Sequence, residues 1–355
     1  MSMIKSSGFR NYYIVLGLCL AVSLIVSARV GAVNIFYGSI FQYIRDLFMT
    51  RHKNFSIDES LFIQIRLPRV LLCAFTGAAL SVSGTLMQGL FRNPIVEPGL
   101  VGTSSGSAFG AAFVFVLGKD LAGTSFDILG PLILPFFAFA GGFAATLIVY
   151  RLSNIFGKTN VNTMLLAGIA INAVASSGTG FLSYIAKDPQ ARSITFWNLG
   201  TLSGADWHAV LYVGISTITG ILFSLKLSKS LNALALGERE AEYLGVETEK
   251  LKTKVLLLNT FIVAIATSFV GVISFVGLIV PHLLRILKSS DNRFLIIASA
   301  MLGGILLNMA DMISRVIVAP SEFPIGIITA LVGAPIFLYL LVRNTKKRQE
   351  GGFYA

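Results

Sequence analysis

The chain reads as an all-α membrane protein with about ten transmembrane helices, and three observations carry that reading. Hydrophobic residues make up 55% of the 355, while Asp, Glu, Lys and Arg together make up only 13%, about half the charge of an ordinary soluble domain. Mean hydropathy is +0.78. Apolar runs of about 20 residues, enough to cross ~30 Å of hydrocarbon as a helix, recur along the whole length.

The spans fall near 12–33, 70–91, 99–117, 129–151, 161–184, 207–226, 254–273, 275–287, 293–315 and 324–343, in one polytopic domain covering 1–355 without a long linker. The first has the outline of a signal peptide, with Lys5, Arg10 and Val26-Ser27-Ala28, but the spans behind it make it a retained helix. The second carries a face of Gly77, Ala78, Ala79, Ser81, Ser83 and Gly84 that allows close helix contact in lipid. Asn93 to Gly99 (NPIVEPG) interrupts the apolar run before the third. The polar turn Asn160-Val161-Asn162-Thr163 separates the fourth and fifth, and 185–206 forms an outer segment before the sixth.

Between the sixth and seventh spans lies a charged island, 231–254, reading LNALALGEREAEYLGVETEKLKTK. The Leu-Gly pair at 236–237 recurs at 244–245, which predicts two short helices broken by a glycine turn. Leu236, Leu244 and Val246 among charges read either as part of a solvated connector or as an apolar knob awaiting a groove. A second interruption is expected at Gly277–His282, and the eighth span is too short to cross at about 1.5 Å per residue. Paired interruptions suggest an inverted internal repeat. Gly326 and Gly333 give the last span a small face at seven-residue spacing.

Most of the 28 Lys and Arg residues, among them Arg92, Arg151, Lys158, Lys226, Arg239, Lys250, Lys252, Arg285, Arg343 and Lys346, fall on one side if the N-terminus is cytoplasmic. The positive-inside rule then puts both termini in the cytosol. This asymmetry and anionic lipid account for the net charge of +11, so nucleic-acid binding is not called for. Cys19 and Cys73 lie in apolar helices, and His52, His208 and His282 do not cluster, so no metal site is expected. His282 is expected to be neutral and hydrogen-bonded. The chain has no GxxxxGK[ST] phosphate loop and no HExxH.

Arg66-Leu-Pro-Arg69, the run from Gly77 to Gly106, LGEREAEYLGV at 236–246, ISFVGLIVPHLLR at 273–285, the Asp311/Arg315 pair and EFPIGIITALVGAPIFLYLL at 322–341 resemble, in order, the FecCD family of ABC permeases, importers of iron-siderophores, haem or cobalamin. The resemblance implies a bundle like that of cobalamin-importer permeases, in the cytoplasmic (inner) membrane of a bacterium. It also implies a homodimer with the path on its two-fold axis, two ATP-binding-cassette ATPase subunits below and an extracytoplasmic binding protein above. ATP and Mg would sit on the ATPases and this chain would bind no cofactor.

The family's coupling role falls on Leu236, Gly237, Glu238, Ala241, Leu244 and Gly245. Arg66, Arg69 and Arg315 match arginines that receive carboxylates of the binding protein; interface anchoring, or an i, i+4 pair of Asp311 with Arg315, are the plainer readings. Asn160, Val161, Asn162 and Thr163 stand where relatives place a gate, although Val161 and Asn162 depart from the small hydroxyl pair of one relative, and a simple polar turn remains open. Trp197, in a short helix and loop at 193–204, either lines the path mouth or anchors at the interface. The ITFWNLGTLSGADW stretch most resembles haem permeases. Two other classes stay in view. An ion-coupled carrier would need mid-membrane carboxylates, and only Glu97 and Asp311 lie near spans; a membrane enzyme would need a gathered polar set.

Overall fold

The computed structural model describes residues 6–31, 57–121, 125–155, 157–319 and 321–349. Lys5, His52 and most of the expected outer segment 34–65 lie outside the described residues. Within them, seven helices are long and apolar enough to cross a membrane, and three shorter apolar helices, Thr103–Gly118, Val276–Leu287 and Ile325–Tyr339, stand at the third, eighth and tenth expected spans.

In chain order the helices are α1 (Ser6–Arg29), α2 (Ile57–Leu61), α3 (Leu67–Leu90), α4 (Thr103–Leu121), α5 (Ile133–Ser153), α6 (Val161–Ile185), α7 (Gln190–Asn198) and α8 (Trp207–Leu234). They continue with α9 (Glu238–Tyr243), α10 (Thr248–Val270), α11 (Val276–Leu287), α12 (Asn292–Val316) and α13 (Ile325–Gln349). A small antiparallel hairpin, β1 (Asn154–Ile155) with β2 (Lys158–Thr159), joins α5 to α6.

The second span begins earlier than its hydropathy suggests. Helix runs unbroken from Ile57 to Leu90, passing through a π turn at Phe62–Arg66 in which the Leu67 N–H reaches the Phe62 carbonyl. Pro68 follows at once and has no N–H to give, so the wider turn absorbs the missing donor. This places Arg66 and Arg69 on a helix.

α3 is the axis of the bundle, because its small face admits neighbours at backbone distance. A side chain on Gly77 would strike the Gly303 backbone of α12, and one on Gly84 would strike the Gly277 backbone of α11. With no hydrophobic drive between helices in lipid, such close packing is what holds them. Polar side chains add cross-links: Thr85 Oγ1 to Ser299 Oγ at 3.1 Å, Thr103 to Thr146 at 2.8 Å, and Ser83 to Asn259.

The two interruptions meet each other. Glu97 lies in the first, and its Oε1 accepts the N–H of Phe275 at 3.0 Å, the residue just before α11, at φ of 68°. Asn259 Nδ2 reaches the Pro98 carbonyl at 3.4 Å. The second interruption lies at 271–274, not at Gly277–His282 as the sequence suggests, since those residues are inside α11. The sequence signal was Pro281, which removes the donor that would have served the Gly277 carbonyl. Gln88 Nε2 replaces it, lying 3.5 Å from Gly277 O and 3.1 Å from Leu278 O, and Arg285 in turn holds Gln88 Oε1. The twelve residues of α11 rise only about 18 Å, short of a full crossing as expected. His282 differs from expectation, because its Nδ1 is enclosed without a hydrogen-bond partner.

Gly84→Val should therefore abolish a monodisperse, detergent-stable protein. Gly180→Ala, whose new methyl would meet nothing within 4 Å, should leave it intact; size-exclusion profiles after extraction read the contrast.

Candidate functional site

The charged island forms a compact knob. Gly237 adopts φ 141° with ψ 158°, a conformation open essentially to glycine, and so turns the chain from α8 into α9. Gly245, at φ 81°, makes the exit turn, and the Val246 N–H closes onto the Ala241 carbonyl at 2.9 Å. The expected helix–glycine–helix pattern is realised as α9, this turn and the start of α10.

The six predicted coupling residues divide by direction. Leu236 and Leu244 are 68% and 64% exposed, and Tyr243, which sequence reasoning passed over, is 91% exposed. These three form the outward apolar surface. Ala241 is fully buried and packs the knob against its own chain, so it is a footing and not part of a contact surface. Val246 is likewise drawn partly into the core instead of facing water. Glu238 is turned inward to Lys252 at 2.9 Å.

Lys252 was legible in the sequence only as one of many cytosolic cations. Its ammonium is almost wholly enclosed and lies 2.9 Å from Glu238 Oε2, 2.9 Å from Glu249 Oε1 and 3.0 Å from the Thr159 carbonyl. The other Glu249 oxygen accepts the Thr159 N–H at 2.7 Å. Thr248 Oγ1 donates to Glu242 at 2.8 Å. Farther out, a hydrogen bond from Lys250 to the exposed Glu247 holds that carboxyl below its usual range.

Thr159 leads directly into the turn expected as a gate. Asn160 is the N-cap of α6, its Oδ1 accepting the N–H groups of Asn162 at 3.0 Å and Thr163 at 3.1 Å. Asn160 and Asn162 are exposed, and Val161 and Thr163 are half-buried. The turn is thus a capped helix start adjoining the knob's anchor, which sequence spacing alone could not reveal.

At the opposite end the three arginines converge, but inward. Arg315 Nη2 lies 2.8 Å from Asp311 Oδ2 and 2.6 Å from Ser27 Oγ, while its Nη1 donates to the Ser27 and Val30 carbonyls. Arg66 Nη1 donates to the carbonyls of Arg29 and Val30 at 3.2 and 2.9 Å. Together they cap the end of α1, where unpaired carbonyls and the helix dipole favour cations. Arg69 pairs with the fully buried Asp311 at 2.9 Å and, on its outer side, with Glu322. The expected Asp311–Arg315 pair is present, and the guanidinium groups are 7–8% exposed residues tied within the chain instead of standing open on the surface.

Trp197 faces the interior of the bundle among the described residues. It is 6% exposed and packs among Ala108, Ala111 and Ala138. Ile194, Thr195 and Asn198 of α7 do border a recess of ≈ 460 Å³, lined also by Ser104, Ser105, Ser176 and Ser183 with Leu199 and Val272 among them. Hydroxyls at helix–helix spacing gave no motif to recognise.

Removing one member of a buried pair leaves the other charge unpaired. Asp311→Asn should cost about 3–5 kcal/mol, and Glu322→Gln, at the exposed rim, less than about 1 kcal/mol; thermal unfolding in detergent separates the two.

The comparisons with known proteins agree with this architecture. The model of the FecCD transport family matches residues 19–343. The haemin transport system permease protein HmuU of Yersinia pestis is 37% identical over 93% of this chain and 94% of its own length. The cobalamin import system permease protein BtuC of Halobacterium salinarum is 40% identical over 78% and 72%. A solved structure described as a metal-chelate type ABC transporter in an inward-facing conformation superposes with a TM-score of 0.80 at 29% identity, covering 94% of this chain and 99% of that one. A helix bundle interrupted at paired sites, a charged knob and a match along nearly the whole length lead to one conclusion: the chain belongs to the FecCD transport family of ABC-transporter permeases.

Proposed function

We propose that this chain is the membrane-spanning subunit of an ATP-driven importer of ferric chelates, siderophore or haem, acting by alternating access as a homodimer. Its partners are two ATP-binding-cassette ATPases on the cytosolic side and an extracytoplasmic binding protein on the other. The complex sits in the cytoplasmic (inner) membrane of a bacterium with both termini of this chain in the cytosol. ATP and Mg are held by the ATPases. This subunit, one domain over its length, contributes the path and the mechanical response.

The observation that carries the reading is the knob. Leu236, Tyr243 and Leu244 stand exposed on a charged segment whose inner face is fixed to the bundle. An apolar patch on a stiff mount fits a groove in a moving partner, and a rigid mount is what transmits a push. The two carboxylates that an ion-coupled carrier would need are otherwise engaged, Glu97 on the Phe275 N–H and Asp311 between two arginines. That favours energy from outside the membrane.

The hydroxyl-lined recess beneath α7 serves as part of the path, broad and weakly selective, so that choice of cargo rests on the binding protein. On the outer face, Arg69 serves docking by exchange: an acidic side chain of the binding protein displaces the half-exposed Glu322 while Asp311 keeps the guanidinium in place. The Asn160–Thr163 turn is the inner gate. The identity of the relatives leaves a second cargo, since one permease at 36% identity over 82% of the chain is a vitamin B12 importer subunit.

The full complex in liposomes, assayed with haem, ferric siderophores and cobalamin, tests the cargo; uptake of cobalamin alone would overturn the ferric-chelate reading. Leu244→Glu tests the knob without touching the backbone. An unpaired carboxylate does not enter an apolar groove cheaply, so uptake should fall about tenfold or more with the bundle still folded. Unchanged uptake removes the coupling assignment.

A further inference from the structure

We infer that Lys252 is the joint that makes the coupling helix and the start of α6 move as one body. The inference rests on the reading of the knob as the point where force enters.

An ammonium group has three protons, and here each has one acceptor on a different element. Glu238 is the first residue of α9, Glu249 lies in the first turn of α10, and the Thr159 carbonyl belongs to β2. The residue is 2% exposed. The ammonium is covered by its neighbours although its two carboxylate partners are 38% and 36% exposed, so losing an arm leaves a shielded charge short of a partner. Glu249 completes a closed ring, since its second oxygen takes the Thr159 N–H. Both free backbone groups of Thr159 are therefore held by the first turns of α10.

Next to Thr159 stands Asn160, whose backbone N–H is bound to Ser153 O at 3.0 Å and whose side chain caps α6. Displacing α9 thus drags Glu238, Lys252, Thr159 and the α6 cap in sequence. Covalent connection alone would not do this, because α9 and α6 are separated by α7 and α8 in the chain. Lys252 touches neither cargo nor nucleotide; it is a positioning residue.

Spin labels at the exposed residues Lys158 and Arg239 of the complete importer in liposomes test the joint, read with and without nucleotide beside ATP hydrolysis and uptake. In the unaltered complex the pair should give one narrow distance that nucleotide does not change. Lys252→Met keeps the stem and removes the charge. It should broaden the distance, leave ATP hydrolysis running and cut uptake per ATP by about tenfold, a usual size for coupling between sites. Lys252→Arg should recover part of the loss. Should Lys252→Met fail to assemble, Glu238→Ala cuts only the α9 arm and is expected to uncouple in the same way.

A nucleotide-dependent Lys158–Arg239 distance in the unaltered complex would overturn the inference, as would normal uptake per ATP in either variant. Leu244→Glu separates this from the parent reading. If it is inactive while Lys252→Met is normal, the knob stands and the joint falls; if Leu244→Glu transports normally, the knob itself falls.

Discussion

Backbone that leaves a helix inside a bilayer must find its hydrogen bonds in protein, because no water is there to supply them. That constraint organises this molecule. The first interruption supplies the Glu97 carboxylate, and the second uses it at Phe275; Gln88 reaches the Gly277 carbonyl that Pro281 leaves unserved, and Leu278 O beside it. The Gln88 contact requires α3 and α11 to lie close, and Gly84 on Gly277 allows it. Breaks, glycines and polar side chains are thus one device, and it lets α11 stop short without exposing polar groups to lipid.

The two ends of the bundle are built to different rules. The end opposite the knob is a knot of three arginines, two acids and the carbonyls of α1, with Asp311 wholly enclosed. It fixes α1, α3 and α12 to one another. The knob end exposes Leu236, Tyr243 and Leu244 among charges, while Lys252 with Glu238 and Glu249 is turned toward the bundle. That arrangement suits a part held by its own chain on one face and presenting an apolar patch on the other. Between them, an Asn232–Asp291–Asn292 cluster with bonds of 2.8 to 2.9 Å ties the end of α8 to the start of α12 just ahead of the knob.

Much of the fold was legible in the sequence because membrane helices declare themselves by length and hydropathy, and small-residue faces such as Gly77 to Gly84 declare close packing. What failed was local chemistry that hydropathy cannot see. Helix from Ile57 extends below the apolar run because a π turn accommodates Pro68. The second break was expected at Gly277–His282, but Gln88 serves that stretch of helix and the chain opens at 271–274 instead. For the site, the exposed Leu236 and Leu244 were readable from their polar neighbours. Ala241, Trp197 and the arginines were not, since burial depends on partners far away in sequence. Lys252 is the clearest case: its acceptors lie 3, 14 and 93 positions away, and no motif spans that distance.

If energy enters only through the cytosolic knob, the helices by themselves have no means of moving cargo against a gradient. The direct test is uptake by vesicles that contain this chain and its binding protein but no nucleotide-hydrolysing subunit, under imposed proton and sodium gradients. The account predicts no accumulation above the outside concentration under any gradient. Accumulation in those vesicles would contradict it.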